Sequence, residues 1–178
     1  MKLKKISIAS LFLLSGILLG QAVPESPKGI KANFSMRSIE AYQENSQNKL
    51  EEFYEYLSIY SSETNVELKK QIRENILAMA DAQMRFRDFT KSTQPEIGFI
   101  EFLSKIENKS YRFEIKSGQN SRELGLNEWV NSYVLVVSNQ QIRSEFEVNQ
   151  IIRFEPLEKE FGSKSKTVWE INLGDIQN

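Results

Sequence analysis

The chain has 178 residues, with 23 Lys and Arg against 24 Asp and Glu, and it contains neither cysteine nor histidine. Without cysteine there can be no disulfide, thiolate catalysis or cysteine-based metal site. Without histidine there can be no Ser-His-Asp triad, and the commonest zinc ligand is missing. Any catalysis must therefore depend on Glu, Asp, Tyr, Lys or Arg side chains, and we expect neither a metal nor another cofactor.

The first 22 residues have the three-part order of a secretory signal peptide. Three lysines within the first five residues form a basic segment, and an apolar run of 14 residues follows over residues 6–19. Small residues at Gly20 and Ala22 predict cleavage before Val23. The apolar run is shorter than the roughly 20 residues of a membrane-spanning helix. We therefore expect an exported protein, periplasmic or extracellular, with no integral membrane segment after cleavage.

Cleavage would leave 156 residues, the length of one domain, with 20 basic and 24 acidic side chains. The net charge of −4 and the lack of a strongly basic patch argue against nucleic acid as a partner. Pro24 and Pro27 predict that residues 23–37 form an extended or disordered lead-in. The single domain is then expected to cover residues 38–178.

Three segments repeat their apolar residues at spacings of three and four, the period of an amphipathic helix. The first begins near Ser38. Its inner stripe consists of Ile39, Tyr42, Ser46, Leu50, Phe53, Leu57 and Tyr60. The second begins with a capping box at residues 64–67, led by Thr64, and is expected to end before Pro95. Its inner stripe consists of Leu68, Ile72, Ile76, Met79, Gln83 and Phe86. The third covers residues 99–106.

The period then changes to two, which is typical of strands. Four strands are predicted, over residues 111–115, 129–137, 145–155 and 168–173. The polar residues 118–125 are expected to form a loop. Pro156 is expected at a strand end, at a bulge or on a sheet edge, because proline has no N–H to donate. Strands joined without intervening helices pair antiparallel.

This order predicts an α+β fold, with three N-terminal helices packed on the concave face of a curved four-stranded antiparallel sheet. The arrangement resembles the NTF2-like superfamily of cone-shaped α+β domains. The resemblance rests on element order over residues 38–176. It also rests on the helix at 99–106 leading directly into the strand at 111–115, and on a closing strand that carries Trp169.

The resemblance implies a pocket between the sheet and the helices, used for small-molecule chemistry or for binding partners. Enzymatic members of the superfamily place a His/Asp pair, or Tyr with two Asp residues, inside the cone. This chain has no histidine and no strand-borne aspartate before Asp175, so no catalytic residue of the family can be assigned to it.

Two candidate sites can be named from the sequence. Arg85 and Arg87, beside Asp88, could form an anion-binding rim at the end of the second helix, or simply a solvated helix end. Asp81 with Tyr42 or Tyr60 could act as a Tyr–Asp pair of the isomerase type if the two helices face each other.

These observations favour an exported, non-catalytic domain that binds a protein partner or a small ligand. The alternatives are a small-molecule isomerase or dehydratase using Tyr and Asp or Glu in a cone pocket, and a structural subunit of an envelope assembly. Formation of a homodimer is compatible with all three functions.

If the helices and strands share one core, six apolar residues should be buried: Phe53, Ile72, Ile76, Phe113, Val148 and Trp169. Six charged neighbours should be exposed: Glu52, Lys69, Arg73, Glu114, Glu147 and Glu170. As a core residue, Trp169 should lose about 3 to 5 kcal/mol of stability on truncation to alanine.

Overall fold

The computed structural model describes residues 29–116, 120–162 and 164–177. The predicted signal peptide, residues 1–22, and residues 23–28 of the predicted lead-in lie outside these ranges. The described chain is α+β: its helices pack against a strongly curled antiparallel sheet. The α+β class is thus as predicted.

The first two helices begin before residue 38. The one-turn helix α1, Ile30–Asn33, is attached to the turn at residues 124–127, because the Ile30 N–H donates to Leu126 O (3.2 Å) and to Asn127 Oδ1 (2.9 Å). Helix α2, Met36–Ser62, is 27 residues long, and the Ser35 hydroxyl caps it by accepting from the Ser38 N–H. These residues differ from the extended lead-in predicted up to residue 37.

Helix α3, Val66–Met79, is shorter than its sequence period indicated. Its N-cap is Asn65 instead of the predicted Thr64, and the Asn65 side chain accepts from the Leu68 N–H at 3.0 Å. The helix ends at Met79 because the backbone becomes extended at Ala80, which forms a parallel bridge with Leu173. The prediction that the helical stripe continues through residues 83 and 86 is therefore wrong.

Phe86 reaches the core from a strand instead. Strand β1, Arg85–Arg87, pairs antiparallel with β2, Glu96–Gly98, and Phe86 is completely buried between two more exposed arginines. Helix α4, Phe99–Ile106, follows directly and has the predicted limits.

The main sheet has the order β3–β5–β6–β7, and β4 pairs with β5 alongside β3. Its strands are β3, Arg112–Ile115; β4, Asn120–Glu123; β5, Glu128–Ser138; β6, Arg143–Phe161; and β7, Lys164–Gln177. The four predicted strands are present. The loop predicted at residues 118–125 is wrong at residues 120–123, because β4 forms ladder bonds with β5 that need no apolar side chains.

Strands β6 and β7 extend well beyond the rest of the sheet. The pairing of β5 with β6 ends at Glu128 and Arg153, whereas β6 and β7 stay paired as far as Phe161 and Lys164. We call residues 155–161 and 164–170 the projecting hairpin; it is about 23 Å long. Its turn uses Gly162 at φ 65°, a conformation that favours glycine. Pro156 lies on the free edge of β6, one of its predicted positions.

Helices and sheet share one core, as expected. Phe53, Ile72, Ile76, Phe113 and Val148 are buried. Trp169 is only partly buried, because it lies where the sheet narrows to two strands. Of the six charged neighbours, Glu52, Glu114 and Glu147 are exposed, but Lys69, Arg73 and Glu170 are half-buried.

Candidate functional site

Side chains fill the space between the sheet and the helices. Seven aromatic side chains there have less than 2% of their surface exposed: Phe53, Tyr54, Phe86, Phe89, Phe99, Phe102 and Phe154. Their rings contact one another, for example Phe86 and Phe102 at 4.7 Å between centroids. The pocket expected in this position from the family resemblance is occupied by the protein's own rings.

A buried hydrogen-bonded chain crosses this core. The Tyr133 hydroxyl donates to Gln150 Oε1 (2.7 Å) and lies 2.8 Å from the Tyr54 hydroxyl, while Gln150 Nε2 donates to Gly174 O (3.2 Å). Since the Tyr133 proton goes to Gln150, Tyr54 is the donor to Tyr133. Burial raises the pKa of both tyrosines, so both remain protonated hydroxyls at neutral pH. Every member has a partner, which is typical of a structural network.

Among the residues described, no hydrogen bond joins Asp81 to Tyr42 or to Tyr60, the predicted Tyr–Asp pair. Tyr42 packs against Phe154 at 4.2 Å between ring centroids, whereas Tyr60 lies 18 residues further along α2, about 27 Å away. Burial, followed by the charge of Glu107, raises the pKa of Tyr60. The Asp81 carboxylate binds the Arg153 guanidinium (3.4 Å) and the Gln83 N–H (2.8 Å).

The predicted anion-binding rim lies on strand β1, so its placement at a helix end is wrong. Arg85 forms a two-pronged ion pair with Asp175, with nitrogen–oxygen distances of 3.0 and 3.2 Å. Arg87 donates to Gln94 O at 3.3 Å. Both arginines already have partners within the chain.

Asp88 is buried and holds the loop that joins β1 to β2. Its carboxylate accepts from the Thr90 hydroxyl (2.5 Å) and from the ammonium of Lys105 on α4. Burial alone would raise the pKa of Asp88, but the hydrogen bonds from Lys105 and Thr90 and the charge of Lys105 outweigh burial and lower it. The carboxylate is thus ionised at neutral pH and holds the loop in place.

An open groove with a volume of about 560 Å³ lies outside the core, between α2 and β3. One wall is a stripe of α2 at helical spacing: Glu51, Tyr54, Glu55, Ser58, Ile59 and Ser62. The other wall is the chain from Ser110 to Ile115. We call this cavity the α2–β3 groove.

Two serines of α2 take the place that a neighbouring strand would have beside β3. The Phe113 N–H donates to Ser58 Oγ (2.8 Å), and the Tyr111 N–H donates to Ser61 Oγ (2.9 Å). The Lys116 N–H donates to Val134 O, so even-numbered residues of β3 face β5 and odd-numbered ones face outward. Within the described ranges, the outward N–H and C=O of Ile115 have no bond and open onto the groove.

Sequence reasoning did not predict this groove. The glutamates of its α2 wall belong to the polar face of the helix, which by period alone indicates solvent. The one sequence feature that points toward it is the group of aromatic residues at positions 53, 54, 56 and 60, because Tyr54 of this group lines the groove.

Comparisons with known proteins provide no family assignment: no protein-family model, no curated protein and no solved structure matches the chain. In the part of the chain that the structure describes, no group of three or more Asp or Glu side chains is placed to hold a metal ion. No helix in that part is both long and apolar enough to cross a membrane.

Proposed function

We propose that this protein is an exported domain that binds an extended segment of a partner protein in the α2–β3 groove. One observation carries this proposal: the interior of the curled sheet is filled by aromatic rings, while an open cavity of about 560 Å³ lies outside it, between a helix and a sheet edge. Small-molecule sites are usually enclosed. An open groove beside a sheet edge favours a polypeptide.

The dimensions of the groove match a short extended segment. Its α2 wall runs from Glu51 to Ser62, which corresponds to about 17 Å along a helix axis. About five residues of extended chain span the same distance. The outward backbone groups of Ile115 can pair with one residue of such a segment, and the exposed side chain of Ile59 provides an apolar contact for it.

The charges that line the groove favour a basic segment. Glu51, Glu55 and Glu114 bring three carboxylates, against the single guanidinium of Arg112, which itself lies 3.9 Å from Glu114. The groove is therefore net negative. Exposed charges of this kind contribute mainly to the association rate and to selectivity, so binding should weaken as salt concentration rises.

We also propose that the chain is related to the NTF2-like superfamily, as a member whose interior pocket is filled. Helices packed against a strongly curled sheet are compatible with such a cone. In this proposal the rings of residues 53, 86, 99 and 102 fill the space where the resemblance implies a pocket, and the partner binds in the outer groove instead. A substrate site of the isomerase or dehydratase type would require an open interior.

Export is part of the proposal and is tested separately. The basic, apolar and small-residue order of residues 1–22 supports cleavage before Val23. Mass spectrometry of the protein recovered from the host's exported fraction should give the mass of a chain that begins at Val23. A mass that includes Met1 would contradict it.

The groove is tested with two sets of fluorescently labelled peptides, one rich in Lys and one rich in Glu. Their binding is measured by fluorescence anisotropy. Basic peptides should bind and acidic ones should not. Glu55→Lys should raise the Kd of basic peptides about tenfold, since it reverses a charge in the wall. The matched control is Glu52→Lys, the same change at an exposed α2 position outside the groove. Equal losses in both variants, or no binding at all, would contradict the proposal.

A further inference from the structure

The projecting hairpin has two chemically different faces. Its outer face carries two glutamates at the base, Glu155 and Glu170, and beyond them three apolar residues and three lysines: Leu157, Lys159, Phe161, Lys164, Lys166 and Val168. Lys159 is paired with Glu170, so Lys164 and Lys166 carry the positive charge of the tip. Its opposite face carries Glu158 and Glu160, and the Ser165 and Thr167 hydroxyls donate to the Glu158 carboxylate. Near its tip the hairpin therefore presents one face that is apolar and basic, with Phe161, Lys164 and Lys166, and one acidic face.

The outer face has exposed apolar groups at its tip. Phe161 is 55% exposed and Leu157 is 39% exposed. The Lys166 ammonium lies over the Phe161 ring, 6.0 Å from its centroid. At the hairpin base Trp169 stacks on Phe154, with 4.9 Å between centroids, so the hairpin is attached firmly to the core.

The hairpin tip lies far from the groove of its own chain. Phe146 of β6 pairs with Leu135 of β5, and Leu135 pairs with Ile115 of the groove. Phe161 lies 15 residues further along β6, which corresponds to about 50 Å measured along the strand. The basic tip and the acidic groove are therefore at opposite ends of the molecule and can meet only between two chains.

We propose that the α2–β3 groove binds the projecting hairpin of a second copy of this chain. This inference rests on the proposed function of the groove and names its partner. The Phe161 ring would contact Ile59, while Lys164 and Lys166 would meet the carboxylates of the groove. Each copy then offers a hairpin at one end and a groove at the other, so contacts are head-to-tail and generate chains or rings.

The contact is small, because only the hairpin tip enters the groove. Interfaces below about 1,200 Å² are typical of weak, transient association. We therefore expect reversible self-association of the mature protein that grows with protein concentration and weakens with added salt.

The test is sedimentation velocity on the mature protein, from residue 23, over a wide concentration range. Glu55→Lys, in the groove, and Phe161→Ser, at the hairpin tip, should each weaken self-association about tenfold or more. Glu52→Lys and Val66→Ser, exposed positions outside both surfaces, should leave it unchanged. Melting temperatures establish that all four variants are folded, and Lys166→Glu replaces Phe161→Ser if that variant is not.

Mixing the two interface variants gives the decisive result. The intact hairpin of Glu55→Lys should bind the intact groove of Phe161→Ser, and growth should stop at a one-to-one complex. A mixture that stays monomeric, or a wild-type protein that stays monomeric, would overturn the inference. So would self-association that neither substitution weakens. If basic peptides still bind the groove in those cases, the proposed function stands without this partner.

Discussion

The Tyr133 hydroxyl forms hydrogen bonds to two buried side chains, Tyr54 and Gln150, so its removal leaves two polar groups without a partner. Tyr133→Phe leaves the Tyr54 hydroxyl and Gln150 Oε1 unsatisfied, whereas Tyr54→Phe leaves only one lone pair of Tyr133 without a donor. An unpaired buried polar group costs about 1 to 3 kcal/mol. We expect Tyr133→Phe to lower the free energy of unfolding by about 2 to 3 kcal/mol and Tyr54→Phe by about 1 kcal/mol. Urea denaturation measures both, and equal losses would contradict the assigned donor order.

Asp88 makes stability depend on acid pH. Its pKa is lowered in the folded state, so its contribution is present above the ordinary aspartate value of about 3.9. That contribution is lost as the pH falls from about 4 through the folded pKa. Asp88→Asn should destabilise the protein by about 1 to 3 kcal/mol at pH 7, because its hydrogen bonds are buried.

Melting temperatures measured from pH 7 down to pH 2 show whether this difference has the expected pH dependence. The gap between wild type and Asp88→Asn should narrow below about pH 4. Asp81→Asn, at an exposed carboxylate with its own arginine partner, serves as the control. A gap that stays constant across the whole range would contradict a role for the Asp88 charge.

Trp169 links the base of the projecting hairpin to the core. The Trp169 ring stacks on Phe154 at 4.9 Å and meets Phe34 edge-on at 5.6 Å, but it is only partly buried. We therefore expect Trp169→Ala to cost about 2 to 3 kcal/mol, less than a fully buried site would lose. Val168→Ala, the neighbouring change on the opposite face of β7, should cost less than about 1 kcal/mol. Equal losses by urea denaturation would mean that Trp169 does not join the hairpin to the core.

Sequence periodicity predicted the limits of a helix or strand correctly where the contacts of that element are local. Helix α4 has its predicted limits because its apolar period and its ends lie within ten residues. Helix α3 does not, because Ala80 leaves the helix to pair with Leu173, which lies 93 residues further along the chain. Strand β4 was missed since an edge strand can be entirely polar. No local pattern carries such information.

The groove could not be read from the sequence for the same reason. Its walls come from two segments about fifty residues apart, and the serines that join them hydrogen-bond to distant backbone. By period alone, Ser58 and Ser61 are ordinary helix residues. The residues proposed from the sequence, such as Asp81 and Arg85, instead form ion pairs within the chain.

At the scale of the whole molecule, α2 separates two surfaces of opposite charge. The 27-residue helix is about 40 Å long. Tyr42, near its beginning, packs against Phe154 at the hairpin base, and Ser62, at its end, lines the groove. The length of α2 thus contributes to the distance between the hairpin, whose tip is basic, and the acidic α2–β3 groove.

The hydrogen bonds between β3 and the serines Ser58 and Ser61 of α2 also bear on the order of folding. Ser58 and Phe113 are 55 residues apart in the chain, whereas β5 and β6 are joined by only four residues. Loop-closure entropy therefore favours early formation of the β5–β6 hairpin and late docking of α2. Until α2 docks, the outward backbone groups of β3 can pair with another chain.

Ser58→Ala should therefore lower the yield of refolding at high protein concentration more than it lowers the native melting temperature. The control is Ser62→Ala, one turn later, whose hydroxyl bonds only to carbonyls of α2 itself. Light scattering during refolding from urea measures the yield. A larger loss of yield in Ser58→Ala than in Ser62→Ala would mean that the hydroxyls of α2 protect the edge of β3 from aggregation during folding.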